Sequence, residues 1–179
     1  MDTRVKLDRF LAEVEKRAFR MAQLATRDSE EALDLVQESM LTLVKRYADR
    51  GEAEWPALFH RILQNRIRDW YRRQKVKAKL FGWITARDDD DPMDVEQFAD
   101  GSMADPGARL ANDQMGQELQ QALQQLPLRQ QQVFLLRILE GMDVKQTAQA
   151  MGISPGSVKT HFSRAVHTLR DRLKDYGYE

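Results

Sequence analysis

The sequence predicts an all-α protein: two small helical domains, residues 1–79 and 113–179, joined by an acidic, flexible linker over residues 80–112. Three observations carry this. Apolar residues recur at three- and four-residue spacing along most of the chain, the period of helices that bury one face. No stretch alternates apolar and polar residues as a half-buried strand does. Glycine and proline, scarce before residue 80, cluster as Gly82, Pro92, Gly101, Pro106 and Gly107, alongside Asp88-Asp89-Asp90-Asp91. That polar, acidic, aperiodic composition buries too little apolar surface to fold by itself, so it reads as a linker.

The elements follow in order. A first helix is expected over residues 4–25, with Leu7, Phe10, Leu11, Val14, Ala18, Met21 and Ala22 on its seam. Asp28, with Glu31 three residues on, resembles a capping box and opens a second helix. Its seam is read as Leu33, Val36, Met40, Leu43 and Tyr47, and Gly51 ends it. Trp55-Pro56 opens a third, since proline is tolerated in a first turn. Trp55, Phe59, Ile62, Leu63 and Trp70 form its buried face. The second domain starts near Leu110, with a seam of Leu119, Ala122, Leu123 and Leu126 that stops at Pro127. A further helix carries Val133, Phe134, Leu136 and Leu139 and is closed by Gly141. Asp143 with Gln146 is a second capping-box pattern, for a short helix that Gly152 ends. Ser154 then caps a last helix with Pro155 at its first position and Val158, Phe162, Ala165, Leu169 and Leu173 along one side.

Composition excludes several classes. There are no cysteines, so there are no disulfides and no cysteine-ligated metal. No window approaches the ~18 uninterrupted apolar residues of a membrane span. Residues 1–10 mix acids and bases and lack a signal peptide's apolar core, so a cytoplasmic protein with no membrane insertion is expected. His60, His161 and His167 are separated in sequence or helical phase, and no metal site is expected. Neither a glycine-rich phosphate loop nor a nucleophile elbow is present, so no enzyme and no cofactor are expected.

The net charge of zero hides a strong asymmetry. Residues 55–79 hold 8 bases and 1 acid, whereas residues 80–118 hold 2 bases and 10 acids. A duplex responds to the local field rather than to the sum.

Three constellations bear on function. Residues 144–173 have the length and glycine turn of a helix-turn-helix, which places its second helix in a DNA major groove. At 100° per residue, Ser157, Thr160, Arg164 and Thr168 fall opposite the Val158/Phe162/Leu169 seam, with Lys159 and His161 beside them. Hydroxyls and an arginine suit phosphates and base edges. On the third helix, Arg61, Asn65, Arg68 and Arg72 form a narrow stripe, and Arg73, Lys75, Lys77 and Lys79 extend it. Asp69 alone interrupts these bases, so pairing along the helix does not explain them. On the second helix, Asp34, Glu38, Leu41 and Lys45 lie opposite the seam. Leu35 and Leu41 are then apolar residues with no core to enter, which suits a partner protein.

At these residues the chain resembles the sigma-70 family of RNA polymerase sigma factors, in its extracytoplasmic-function (ECF) group. Asp34-Leu35-Val36-Gln37-Glu38 is similar to that family's "DLVQE" segment. Leu58-Phe59-His60-Arg61-Ile62-Leu63-Gln64-Asn65-Arg66, followed by Asp69-Trp70-Tyr71-Arg72-Arg73, resembles its "WLFRIARNR" segment. Leu123-Gln124-Gln125-Leu126-Pro127 and Gln132-Val133-Phe134-Leu135-Leu136 resemble the start of its C-terminal domain, and residues 152–160 resemble its "GISxGTVKS" turn.

The resemblance implies a sigma-2-like domain, a linker and a sigma-4-like domain, acting in promoter recognition, DNA melting and transcription initiation. It implies that Asp34, Leu35, Gln37, Glu38 and Leu41 bind core RNA polymerase. It implies that Arg61, Asn65, Arg68, Arg72 and Arg73 bind the −10 promoter element, and that Ser157, Lys159, Thr160, His161 and Arg164 bind the −35 element. The acidic linker would thread near the polymerase active-site channel, and an anti-sigma factor would hold the protein inactive. His60 and His161 depart from the family's commoner residues. The alternative reading is a stand-alone helix-turn-helix regulator, which needs a sensing or dimerising domain. A helical adaptor without nucleic acid is a further rival.

Overall fold

Asp2 starts the first helix, α1 (Thr3–Thr26), by accepting a hydrogen bond from the Arg4 amide at 3.2 Å. Such a cap satisfies a donor that a helix start leaves unpaired. The helix ends at Arg27, which takes the left-handed conformation (φ 57°) and returns its N–H to the Gln23 carbonyl at 2.8 Å. Asp28 opens α2 (Ser29–Tyr47), its carboxylate accepting from the Glu30 and Glu31 amides. This helix stops four residues short of Gly51, which instead precedes a short 3₁₀ turn, Glu52–Glu54. Next comes α3 (Trp55–Leu80). The computed structural model describes residues 2–80 and 114–174, so the expected acidic linker and its course lie outside the described residues.

The second unit holds α4 (Gln114–Gln124), α5 (Leu128–Ile138), α6 (Val144–Met151) and α7 (Pro155–Lys174). Asp143 and Gln146 form the expected reciprocal capping box at α6. Gly152 closes α6 at φ 66°, where a Cβ is strained. Ser154 accepts from the Ser157 amide and so starts α7. No strand occurs among the described residues.

Two apolar cores result. The first joins Leu7, Val14 and Ala18 of α1, Val36 and Leu43 of α2, and Trp55, Phe59, Leu63 and Ile67 of α3. Phe10 packs against both Trp55 and Phe59. The Tyr71 hydroxyl donates to the Ala25 carbonyl at 2.8 Å, and burial raises its pKa. The second core joins Ala122, Leu123, Val133, Leu136, Met151, Val158, Ala165 and Leu169.

Those cores exchange residues. Leu128 of α5 belongs to the first, while Met21 and Leu24 of α1 belong to the second. Helix α6 lies against α3. The Gln132 amide donates to the Gln64 carbonyl at 3.1 Å, and Arg27 donates to the Gln124 carbonyl at 2.9 Å, where the end of α4 leaves an acceptor open. The two helical units are therefore packed on one another.

Two seam residues turn out otherwise than the sequence suggested. Leu33, read as core, is 44% exposed, and Leu35, read as stranded on the surface, is 3% exposed. The true seam of α2 is Ala32, Leu35, Val36, Ser39 and Leu43. It carries a buried serine, whose hydroxyl donates to the Leu35 carbonyl at 2.6 Å. On α4, Leu119 is also largely out of the core, which starts at Ala122.

Candidate functional site: a docking face and two basic faces

Asp34, Gln37, Glu38 and Leu41 are all exposed on one side of α2. Leu41 is 56% exposed, and Leu33 and Val44 join it to make an apolar patch edged by carboxylates. The sequence reading missed Leu33 and Val44 because it placed Leu33 in the core. Leu35 is removed from this face, since its side chain is spent in the first core. Arg66 of α3 reaches across to donate to Glu38 at 2.9 Å and to the Thr42 hydroxyl at 2.8 Å. It thus holds the Glu38 carboxylate in a set orientation, and docking groups held in advance lose less entropy on binding.

The basic stripe of α3 is partly covered. Arg61, Asn65, Arg72 and Arg73 are exposed, and Arg68 is half-buried. Arg68 hydrogen-bonds the Asn65 side chain and lies against the Met151 sulfur at the end of α6. A Cβ on Gly152 would come within 3.9 Å of the Arg61 guanidinium, so the α6–α7 turn sits beside that arginine. Burial lowers the Arg68 pKa, and the nearby charges of Arg129, Arg72 and Arg61 lower it further, while Asp69 opposes them. Arg72 pairs with Asp69 at 3.3 Å, and guanidinium groups crowded around a single acid favour an anion in their midst.

The face of α7 is open. Lys159, Thr160 and Arg164 are exposed, opposite the buried Val158, Ala165 and Leu169. Ser157 is half-buried and its hydroxyl accepts from Ser154 at 3.0 Å; the Thr160 hydroxyl donates to the Gly156 carbonyl at 3.1 Å. His161 is half-buried on the flank. Beneath it, Phe134 stacks on Phe162, and Arg137 lies 5.3 Å over the Phe162 ring. These contacts fix α7 on α5, and its packing against α6 completes the presenting helix of a helix-turn-helix.

One buried polar cluster has no counterpart in the sequence reading. The Glu140 side chain, in the turn after α5, is 6% exposed. Arg17 Nε donates to one of its oxygens at 2.7 Å, and His60 Nε2 lies 3.2 Å from the other. Burial pushes the Glu140 carboxyl up, but His60 and Arg17 together more than offset this, and its pKa lies below the ordinary value. The partners stand 123 and 80 residues away in sequence, so no local spacing signals the cluster. No group of three or more residues fit to hold a metal occurs among the described residues. Nor is any helix there long and apolar enough to cross a membrane.

Comparison with known proteins agrees with this architecture. The family model for sigma-70 region 2 matches residues 7–76, and that for sigma-70 region 4 matches residues 116–169. The RNA polymerase sigma-E factor of Streptomyces avermitilis is 28% identical over 158 residues, covering 87% of this chain and 78% of the relative. The ECF RNA polymerase sigma factor SigM of Mycobacterium tuberculosis is 28% identical over 164 residues, covering 90% and 74%. In fold, the chain is similar to the sigma factor RpoE of Bartonella quintana, solved in complex with the anti-sigma factor NepR. The TM-score is 0.68 at 18% identity, covering 93% of this chain and 96% of that one. The chain belongs to the sigma-70 family, as an RNA polymerase sigma factor of the ECF group.

Proposed function

We propose that this sigma factor works through three surfaces of assigned role, by binding and without catalysis, in the cytoplasm. Residues 1–79 act as a sigma-2-like domain and residues 113–179 as a sigma-4-like domain. The exposed side of α2, Asp34, Gln37, Glu38 and Leu41 with Leu33 and Val44, docks on core RNA polymerase. Arg61, Asn65, Arg68, Arg72 and Arg73 engage the −10 element, the arginines holding phosphates while Asn65 meets the melted strand. Ser157, Lys159, Thr160, His161 and Arg164 engage the −35 element.

Promoter opening on this reading needs no covalent step. Unstacking a base costs a few kcal/mol, and contacts to the freed strand offset it. Polymerase joins the two weak DNA contacts and so raises the effective concentration of the second. A protein inhibitor of the anti-sigma kind fits as a partner, since the Bartonella quintana neighbour is bound to one.

The observation that carries the reading is the outward array of Lys159, Thr160 and Arg164 on a helix buttressed by α5 and α6, within a chain whose halves match both sigma regions. Run-off transcription with purified core polymerase on a promoter panel tests it. Transcripts from a defined subset are expected, lost on Arg164→Ala and on Asp34→Lys. Transcription indifferent to both substitutions contradicts the assignment.

A further inference from the structure

Helix α7 stays polar beyond the end of the proposed −35 row. There α7 and the first turn of α5 border an open cleft of about 430 Å³, lined by Gln130 from α5 and by Ser163, Arg164, His167 and Thr168 from α7. Ser163, Arg164 and His167 are exposed, and Gln130 and Thr168 are half-buried. Arg164 belongs to the row and to the cleft alike.

The cleft is set apart by unspent hydrogen-bonding capacity. A helical hydroxyl can return its proton to the carbonyl four residues back, and Thr26, Ser39, Thr42 and Thr160 all do so. Among the described residues, the Ser163 and Thr168 hydroxyls have no such bond and no other partner, and the Arg164 guanidinium has no acid. Gln130 Oε1 is buried without a partner, so its amide can turn over without breaking a bond and present two N–H donors. Of the lining residues His167 alone is committed. Its Nε2 lies 3.3 Å from Asp171, and Lys174 approaches the same carboxylate at 3.5 Å.

A phosphodiester fits this set, because hydroxyls, amides and arginine are the groups that meet a DNA backbone. Position agrees with chemistry. An α-helix rises about 1.5 Å per residue, so Arg164 and Thr168 stand roughly 6 and 12 Å beyond Thr160 along the axis of α7. The major groove is about 12 Å wide. With Lys159 and Thr160 at base edges, the cleft lies at the wall of the groove, where the phosphates are. Lys174 occupies Asp171, so no bare carboxylate stands beside the strand.

We infer that this cleft seats one backbone phosphate flanking the −35 element, with Gln130, Ser163 and Thr168 donating to it beside Arg164. This deepens the proposed function and rests on its assignment of α7 to the −35 duplex. A phosphate is common to every sequence, so these contacts read no base and instead fix where α7 sits along the groove.

The full chain should be titrated with a fluorescein-labelled duplex carrying the −35 element of a promoter active in run-off transcription, and with a duplex in which that element is scrambled. Gln130→Ala and Thr168→Val should each weaken binding to both duplexes about threefold, the loss of one modest hydrogen bond, and about tenfold together. The ratio between the duplexes should stay as in the parent. So should the salt slope, since neither side chain carries charge. Circular dichroism should show helix content unchanged.

A methylphosphonate, which replaces one charged phosphate oxygen by methyl, should then be walked along the flanks of the −35 element. One position should weaken the parent at least about threefold and the double variant far less. A double variant that binds like the parent, that loses affinity for the −35 duplex alone, or that keeps the parent's methylphosphonate pattern overturns the cleft. A parent that binds both duplexes equally, with the double variant weaker on both, sinks the −35 assignment and leaves the phosphate contact standing.

Discussion

The two basic faces of this protein are built alike and presented differently. Each is a row on a helix whose opposite side lies in an apolar core: Arg61, Asn65 and Arg72, exposed, with the half-buried Arg68 on α3, and the exposed Lys159, Thr160 and Arg164 on α7. The α7 face points away from the rest of the described molecule's core, whereas the α3 face carries Met151 and Gly152 of the other unit. Charge composition alone would rank α3 as the stronger DNA-binding element. Packing separates the two in the isolated chain: Arg68 is half-buried against Met151, while Arg61, Asn65 and Arg72 stay exposed. The availability of a cationic face therefore depends on what is packed on it as much as on how many cations it holds.

The comparison can be broken from the side of the core. Met151 is buried in the second core and also supports Arg68. Met151→Ala is expected to cost about 2–5 kcal/mol of stability, read by chemical denaturation. If instead the cost is negligible, α6 is not the packed platform on which both faces depend.

Arg164→Ala sharpens it next. Loss of a base- or phosphate-contacting arginine is expected to cost about 1–3 kcal/mol of −35 duplex affinity, equally in the free chain and in holoenzyme, because the α7 face is open in both. Arg72→Ala is expected to reduce the slope of log affinity against log salt by about 1, and an unchanged slope would mean that this exposed arginine holds no phosphate.

The smallest effect comes from acid. The folded-state pKa of Glu140 is depressed below the ordinary 4.5. Its contribution is therefore complete above that value and declines as pH falls through the lower, folded-state value. Arg17 and His60 are the groups that face it. Chemical denaturation should show stability falling in that acid window, with Glu140→Gln showing no such transition there.

Much of the fold was legible in the sequence. Caps at Asp28, Asp143 and Ser154, the terminating Gly152 and the apolar seams of α1, α3 and α7 all act locally, and local chemistry placed them. The seam of α2 was not, because two of its members are alanine and serine: Ala32 and Ser39 are buried but carry no apolar signal strong enough to set the phase. With those unseen, Leu33 and Leu35 exchanged roles, and Leu35 entered the docking face by mistake. The pairing of Arg66 with Glu38 and the Glu140 cluster were invisible for a different reason. Both depend on helices meeting in space, and a single carboxylate near a helix end looks like ordinary solvated charge until its partners arrive.

A DNA footprint bears most directly on the central claim. A promoter active in run-off transcription should be probed with hydroxyl radicals in the presence of the free chain, and again with holoenzyme. The expected result is protection of the −35 element alone, at high protein concentration, by the free chain, and of both the −35 and −10 elements by holoenzyme. Protection of both elements by the free chain would contradict the account.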